Sequence, residues 1–259
     1  MTLFSAIKNT TAAQLLTRAA ALGLDLVIPP RCLSCGISIA RGGDVCSACW
    51  RTLTFIDRPI CNRCGLPFEI DIGPQALCAP CLGTSGRVTK FRAALAYDEA
   101  SKQLVLPFKH ADRLDCAPAF ARWMARAGAE LLGRSDLITA VPLHSKRLLA
   151  RRYNQAAVLA LAIGAETGVP AVPDLLVRIR ATPSQGGLSH EGRRQNVRGA
   201  FAPNPSRIDR IKGARILIVD DVHTTGASLE EAARTLVGAG AIQVDALTLC
   251  RVVRATDMG

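Results

Sequence analysis

A chain of 259 residues can form one large or two modest domains, and 49% apolar with 20% charged residues is the composition of a globular protein. No apolar run approaches the roughly 18 residues of a membrane span, which excludes a spanning helix. The formal charge of +11 points to an anionic partner without separating nucleic acid from a phosphorylated small molecule.

The chain opens with MTLFSAIKNTTAAQLLTRAAALGLDLVIPP, a mildly amphipathic stretch whose longest apolar run is interrupted by Asp25. No small-residue cleavage site follows it, so residues 1–28 read as a helical segment of a cytoplasmic protein rather than a signal peptide. Ten cysteines follow, too many for disulfides in a reducing compartment. Eight of them form four CxxC pairs: Cys32/Cys35, Cys46/Cys49, Cys61/Cys64 and Cys78/Cys81. The leading pair of each half is followed by a glycine, Gly36 or Gly65, which lets the backbone turn its N–H groups toward the sulfurs.

Two such pairs per ion suit tetrahedral zinc with four thiolates. A double zinc ribbon over 29–86 is therefore expected, with two structural Zn²⁺ ions. Iron–sulfur ligation and redox pairs are the rivals, but a redox CxxC normally starts a helix in a βαβ unit, and none is visible. Sequential pairing keeps the chelate loops short, and an interleaved pairing stays open. Cys116 and Cys250 stand apart in apolar surroundings and read as small buried hydrophobes.

Beyond the link LGTSGRV the texture changes, and 87–256 reads as one α/β domain. FRAALAYD is a strand, APAFARWMARAGAELLG a helix and DLITAVPLH a strand. NQAAVLALAIGAETG is a helix ending at Gly168, and PDLLVRIR is a strand. ARILIVDD, SLEEAARTLVGAG and QVDALTLCRVV complete the alternation as strand, helix and strand. Such alternation predicts a mainly parallel sheet flanked by helices, with ligands at the carboxyl ends of its strands.

One such end carries ILIVDDVHTTGAS, residues 216–228. Asp220 and Asp221 can accept hydrogen bonds from the vicinal hydroxyls of a sugar. Thr224, Thr225 and Ser228 supply hydroxyls, Gly226 permits close backbone approach, and the helix that follows offers its N–H groups to a phosphate. Ser228 and Glu231 have the spacing of a capping box, which sets the expected helix start. His223 reads as an exposed loop side chain. No GxxxxGK[ST] loop occurs, and Gly238-Ala-Gly240 follows a helix rather than a strand.

Residues 216–228 resemble the phosphoribosyl pyrophosphate (PRPP) motif of type I phosphoribosyltransferases. VPLHSKRLLARRYNQAAVLA (141–160), RIRATPSQGGLSHEGRRQNVRGAF (178–201) and LVIPPRCLSCG (26–36) resemble blocks of the ComF family, which includes GntX-like proteins. The resemblance covers most of the chain and implies a double zinc ribbon followed by a type I phosphoribosyltransferase-like domain. It implies that Asp220 and Asp221 hold the ribose 2- and 3-hydroxyls of a PRPP that carries Mg²⁺. Residues Val222, His223, Thr224, Thr225, Gly226, Ala227 and Ser228 then form the 5-phosphate loop. The pyrophosphate contacts fall on Ser145, Lys146 and Arg147 beside His144. Gln185 and Arg180 are candidates on a mobile TPSQGG loop, and Lys109 matches a family lysine of unassigned role.

The family is associated with natural transformation, where single-stranded DNA enters the cytoplasm. Two functions follow: a phosphoribosyltransferase of unknown acceptor acting in DNA uptake, or a non-catalytic nucleic-acid-binding or scaffold protein that docks a competence helicase. The reaction would be displacement of pyrophosphate at the anomeric carbon, with Asp220, Asp221, Lys146, Arg147 and Gln185 as candidate catalytic groups. Purine salvage is disfavoured. Relatives of that type carry a carboxylate three residues beyond the acidic pair, where this chain has Thr224, which is no base near neutral pH. Aromatics are only 4%, so base-stacking platforms are few, with Trp50, Phe55, Phe68 and Tyr153 the obvious ones.

Overall fold

A computed structural model of the chain describes residues 30–40, 42–83, 86–110, 113–144, 148, 152–181 and 190–253. It divides after Trp50 into two units.

In the first unit a knuckle is closed by local backbone bonds, Cys32 N to Ile37 O at 2.8 Å and Gly36 N to Cys32 O at 3.0 Å. Gly36 takes φ 75°, a left-handed conformation that a Cβ would disfavour. Helix α1 (Ser47–Thr52) starts directly after Cys46.

The second unit opens on the same plan. Cys61 N bonds Leu66 O at 2.8 Å, Gly65 N bonds Cys61 O at 2.9 Å, and α2 (Ala79–Gly83) starts after Cys78. Here the glycine has a second reason. A Cβ on Gly65 would lie 2.8 Å from the carbonyl oxygen of Phe91, so the knuckle sits directly against strand β1 (Phe91–Ala96).

Four parallel strands follow in the order β1-β6-β5-β2, with β2 at Leu137–Ala140, β5 at Arg215–His223 and β6 at Gln243–Arg251. Ile216, Leu217, Ile218 and Val219 are each at most 1% exposed, so both faces of β5 are covered. That explains an unbroken apolar run where a half-exposed strand would alternate. Each of these side chains contributes about 1.5–3 kcal/mol of burial. Ile216 and Ile218 pack with Leu229, Ala232 and Leu236 of α9 (Ala227–Gly238). The opposite face carries α4 (Ala117–Ala127), followed by the short α5 (Ala129–Leu132), and α6 (Gln155–Thr167); α4 and α6 pack on each other and on the sheet. Gly168 ends α6 at φ 76°, as expected of a left-handed C-terminal residue.

PDLLVRIR departs from the predicted sheet. Its strand, β3 (Leu176–Arg178), pairs antiparallel with β4 (Phe201–Pro203) in a separate two-stranded sheet, and the short α8 (Ile208–Ile211) leads from β4 to β5. Its apolar residues looked the same because Leu175, Leu176 and Phe201 bury into the core beside α9. The segment 99–110, left unassigned by pattern, is helix α3 (Glu99–His110). Its start is held reciprocally: Ser101 N donates to Asp98 Oδ1 at 2.8 Å and Asp98 N to Ser101 Oγ at 2.9 Å. Cys116 and Cys250 are buried, as expected. No described helix is long and apolar enough to cross a membrane.

Candidate functional site

The acid pair lies at the carboxyl end of β5, as the pattern predicts. Asp220 is paired with Thr248 of β6, and the ladder runs on to His223 opposite Arg251. Both carboxylates are half-buried, and Asp221 N donates to Asp220 Oδ1 at 2.9 Å. Burial pushes the Asp220 carboxyl up to about 7, and the negative charge of Asp221 pushes the same way. Lys109 Nζ stands 3.2 Å from Asp221 Oδ1 and supplies the counter-charge.

Three consecutive residues bring that lysine there. Tyr153 Oη donates to Phe108 O at 2.7 Å, and Gln155 Nε2 donates to Lys109 O at 3.0 Å. Asn154 caps α6 through Ala156 N at 3.1 Å and donates through Nδ2 to Val141 O, beyond β2, at 3.0 Å. The Tyr-Asn-Gln run thus clamps the end of α3 to the carboxyl edge of the sheet. The resulting cleft of about 330 Å³ is lined by Tyr97, Lys109, Asn154, Arg178 and the acid pair, and by Thr224 and Ser228 of the loop.

The loop turns at Gly226, φ 74°, which is the N-cap of α9. A Cβ there would approach His223 Nε2 to 2.8 Å, so glycine is required by conformation and by space. No side chain caps the helix, and it starts at Ala227, so the expected capping box at Ser228 and Glu231 does not form. Glu231 is buried and accepts instead from Arg234 Nε at 2.9 Å and from Gly199 N. The opening turn of α9 still presents backbone N–H groups and the positive end of the helix dipole toward the cleft.

His223 is not the exposed loop residue expected. It ends β5 with its ring 4.4 Å from that of Phe91. Burial, and then the positive charge of Arg251, bring it down to about 3, so it is neutral.

Of the remaining predicted residues, Val222 lies on the strand end, Thr225 in the loop and Ala227 at the first position of α9, and His144 follows β2. Ser145, Lys146, Arg147 and Gln185 lie outside the described residues. Arg180 does not line the cleft. Its Nη2 donates to the carbonyls of Asn196, at 3.1 Å, and Arg198, closing the end of α7 (His190–Val197). Arg178, two residues earlier, lines the cleft and stacks 5.4 Å over Phe201. The R-I-R run signals a pair of arginines; their directions differ because β3 ends at Arg178 and Arg180 lies beyond it, in a bend.

The cysteines form two sequential tetrads, Cys32/Cys35/Cys46/Cys49 and Cys61/Cys64/Cys78/Cys81, each with its sulfurs within 4.8 Å of one another. Four thiolates at 2.3 Å from one ion stand about 3.8 Å apart. Cys35 and Cys46 are 3.8 Å apart at sulfur, and Cys64 and Cys78 3.5 Å. Cys46 N donates to Cys32 Sγ at 3.2 Å and Cys78 N to Cys61 Sγ at 3.4 Å. Burial pushes both acceptor thiols up, but backbone N–H bonds outweigh it and bring Cys32 to about 6 and Cys61 to about 7. The donor set and spacing fit zinc.

Comparison with known proteins agrees with both parts. Residues 23–82 match the double zinc ribbon domain and residues 138–258 the phosphoribosyl transferase domain. The chain is 31% identical over 237 residues to the DNA utilization protein YhgH of Salmonella typhimurium, covering 88% of this chain and 100% of that one. It is 29% identical to Competence protein F of Haemophilus influenzae, covering 85% and 96%. It is 25% identical to Competence protein ComFC of Bacillus subtilis, covering 80% and 84%. The chain belongs to the ComF family. Family membership accounts for the conjunction of features: a cysteine-rich beginning of the same plan repeated, then a parallel sheet whose one acidic strand end meets a glycine-cornered helix start.

Proposed function

We propose that the chain binds Mg²⁺–PRPP in the Asp220/Asp221 cleft and acts in the handling of DNA taken up by the cell. The observation that carries the ligand is the order of groups along one strand–loop–helix. Two half-buried carboxylates come first, then a glycine-cornered hydroxyl loop, then a helix N-terminus, with Lys109 as counter-ion. Carboxylates suit a diol, and the loop suits a phosphate five bonds away. The names of the relatives, a DNA utilization protein and a competence protein, support the cellular role.

In this reading Asp220 and Asp221 accept the ribose hydroxyls, and residues 222–228 bind the 5-phosphate. Lys109 leaves Asp221 as the diol arrives and turns its ammonium to the diphosphate. Ser145, Lys146 and Arg147 complete the diphosphate contacts. Bound magnesium would neutralise charge on the leaving pyrophosphate. Arg178, which lines the cleft, would help shield an oxocarbenium-like centre from water. The acceptor is not a purine base held by a loop carboxylate, because Thr224 occupies that position and is exposed. Zinc in both tetrads is structural, since all four ligands of each are cysteines and no position is left open. Nucleic acid, where bound, is held through its backbone. Phe55 packs on Trp123 at 5.6 Å and Tyr153 is spent on Phe108, which leaves few rings for stacking.

Calorimetric titration of PRPP with Mg²⁺ into the zinc-loaded protein tests the reading. Saturable binding that Asp220→Asn/Asp221→Asn abolishes is expected. Absence of binding in a folded, zinc-replete protein would reject it and favour the scaffold role.

A further inference from the structure

The second cysteine tetrad touches the same strands that build the cleft. Arg251, the last residue of β6, is buried and donates through Nη1 to the carbonyl of Cys64. Its guanidinium carbon lies 5.5 Å over the Phe91 ring. Phe91 in turn faces His223, and His223 Nε2 occupies the space beside Gly226 at the corner of the loop. The backbone closes the same circuit. Phe91 N donates to Arg63 O at 2.8 Å, within the knuckle, and Val252 N to His223 O at 2.9 Å. Arg92, buried on β1, adds a bond from Nη2 to Asn62 O at 3.0 Å.

We infer that Arg251 is a positioning residue through which the second tetrad sets the 223–228 loop, so that metal in that tetrad governs the cleft. The physical reason is rigidity at each step. A guanidinium held to a knuckle carbonyl fixes the Phe91 ring, the ring fixes the imidazole, and the imidazole sets how close the Gly226 corner can come. A neutral imidazole suits this wedge. A charged one, beside Arg251 and under Phe91, would be expelled toward solvent. By reciprocity, a ligand that orders the loop tightens the second tetrad.

The extension to ligand binding rests on the proposed PRPP reading; the mechanical link does not, and the test separates them. Amide hydrogen exchange over 223–228 is measured in the full-length, zinc-loaded chain, with zinc stoichiometry and Mg²⁺–PRPP titration on each variant. Arg251→Gln is expected to keep a cooperative melt and speed exchange of these amides about tenfold, the scale of one charged hydrogen bond lost. Cys64→Ser is expected to speed them at least as much. The double variant should be no faster than Cys64→Ser alone, because both cut one path. Arg251→Lys keeps the charge without the planar fork and should recover part of the effect. Cys35→Ser, in the first tetrad, should leave the loop as it is. Loss of the second ion by Arg251→Gln is the same coupling seen from its other end. Unchanged exchange in Arg251→Gln with both ions retained would overturn the inference. So would equal loosening by Cys35→Ser and Cys64→Ser, or multiplicative effects in the double variant. Failure of the wild type to bind Mg²⁺–PRPP would reject the ligand reading alone, while the exchange comparison still decides the link.

Discussion

The two tetrads are built from the same CxxC pairs, with a glycine after the leading pair and a short helix under the trailing pair, yet they belong to different parts of the molecule. The first closes on itself, with Cys32 buried and Cys35 exposed. The second has Cys61 and Cys78 buried and packs with Leu66, Phe68 and Val253, the last lying just past β6. Its knuckle carbonyls accept from Arg92 and Arg251. A repeated motif therefore says what is bound and not what the binding is for. One copy holds a unit of its own, and the other is built into the wall of a larger one.

The largest expected effect tests this difference directly. Cys61→Ser should lose one zinc ion and lower the melting temperature of the 51–253 unit, which still melts cooperatively on its buried sheet, since zinc binding to a structural site is coupled to folding. Cys32→Ser should lose one ion and leave that melt in place. Differential scanning calorimetry with zinc analysis distinguishes them, and an equal shift in both would erase the comparison.

The next effect links the second tetrad to the acids. Asp220 titrates near 7 when folded, against an ordinary value of 3.8. The folded state holds a proton that the unfolded chain releases, so stability falls as pH rises from about 4 to about 7 and is flat above. The full fall is on the order of 4 kcal/mol for the pair. Asp220→Asn should remove this slope and be the more stable form at pH 8. At pH 8, chelator-driven zinc release from the second tetrad should be slower in Asp220→Asn than in the wild type, while release from the first should be the same in both. A slope that persists in Asp220→Asn would assign it elsewhere.

Gly226→Ala places a Cβ at positive φ against His223, and should cost about 1–3 kcal/mol in stability of the 51–253 unit by chemical denaturation. It should weaken Mg²⁺–PRPP binding more than tenfold and leave zinc content intact. The smallest effect separates the two arginines of the R-I-R run. Arg178→Ala should lower Mg²⁺–PRPP affinity about tenfold, as loss of a charged contact does, and Arg180→Ala should change it less than about twofold. The reverse order in titration would put Arg180 in the cleft.

Much of this was legible without coordinates because it follows from short-range rules. Cys32 to Cys81 announce two metal sites through spacing. Ile216 to Val219 announce a strand covered on both faces, and Gly168 the end of α6. The acid pair, the 224–228 loop and the helix after them were readable as one strand–loop–helix unit because they are consecutive in the chain. The readings that failed all depend on what lies across space. Ser228 and Glu231 have capping-box spacing, but Gly199 N and Arg234 draw Glu231 away, and the helix begins two residues early. His223 sits in a polar stretch, yet Phe91, more than a hundred residues distant, covers it. PDLLVRIR has the texture of a sheet strand and pairs outside the main sheet.

The sequence by itself determined the two cysteine tetrads, the parallel α/β class and the strand that carries the acids, because these reside in residue chemistry and in periods of two to four residues. Tertiary structure alone decided which lysine neutralises Asp221, which arginine enters the cleft and which tetrad is joined to the sheet. The physical reason is that burial and hydrogen bonding are satisfied between segments far apart in the chain. Lys109 and Asp221, or Cys64 and Arg251, meet only once the strand order β1-β6-β5-β2 is set, and no local pattern encodes that order.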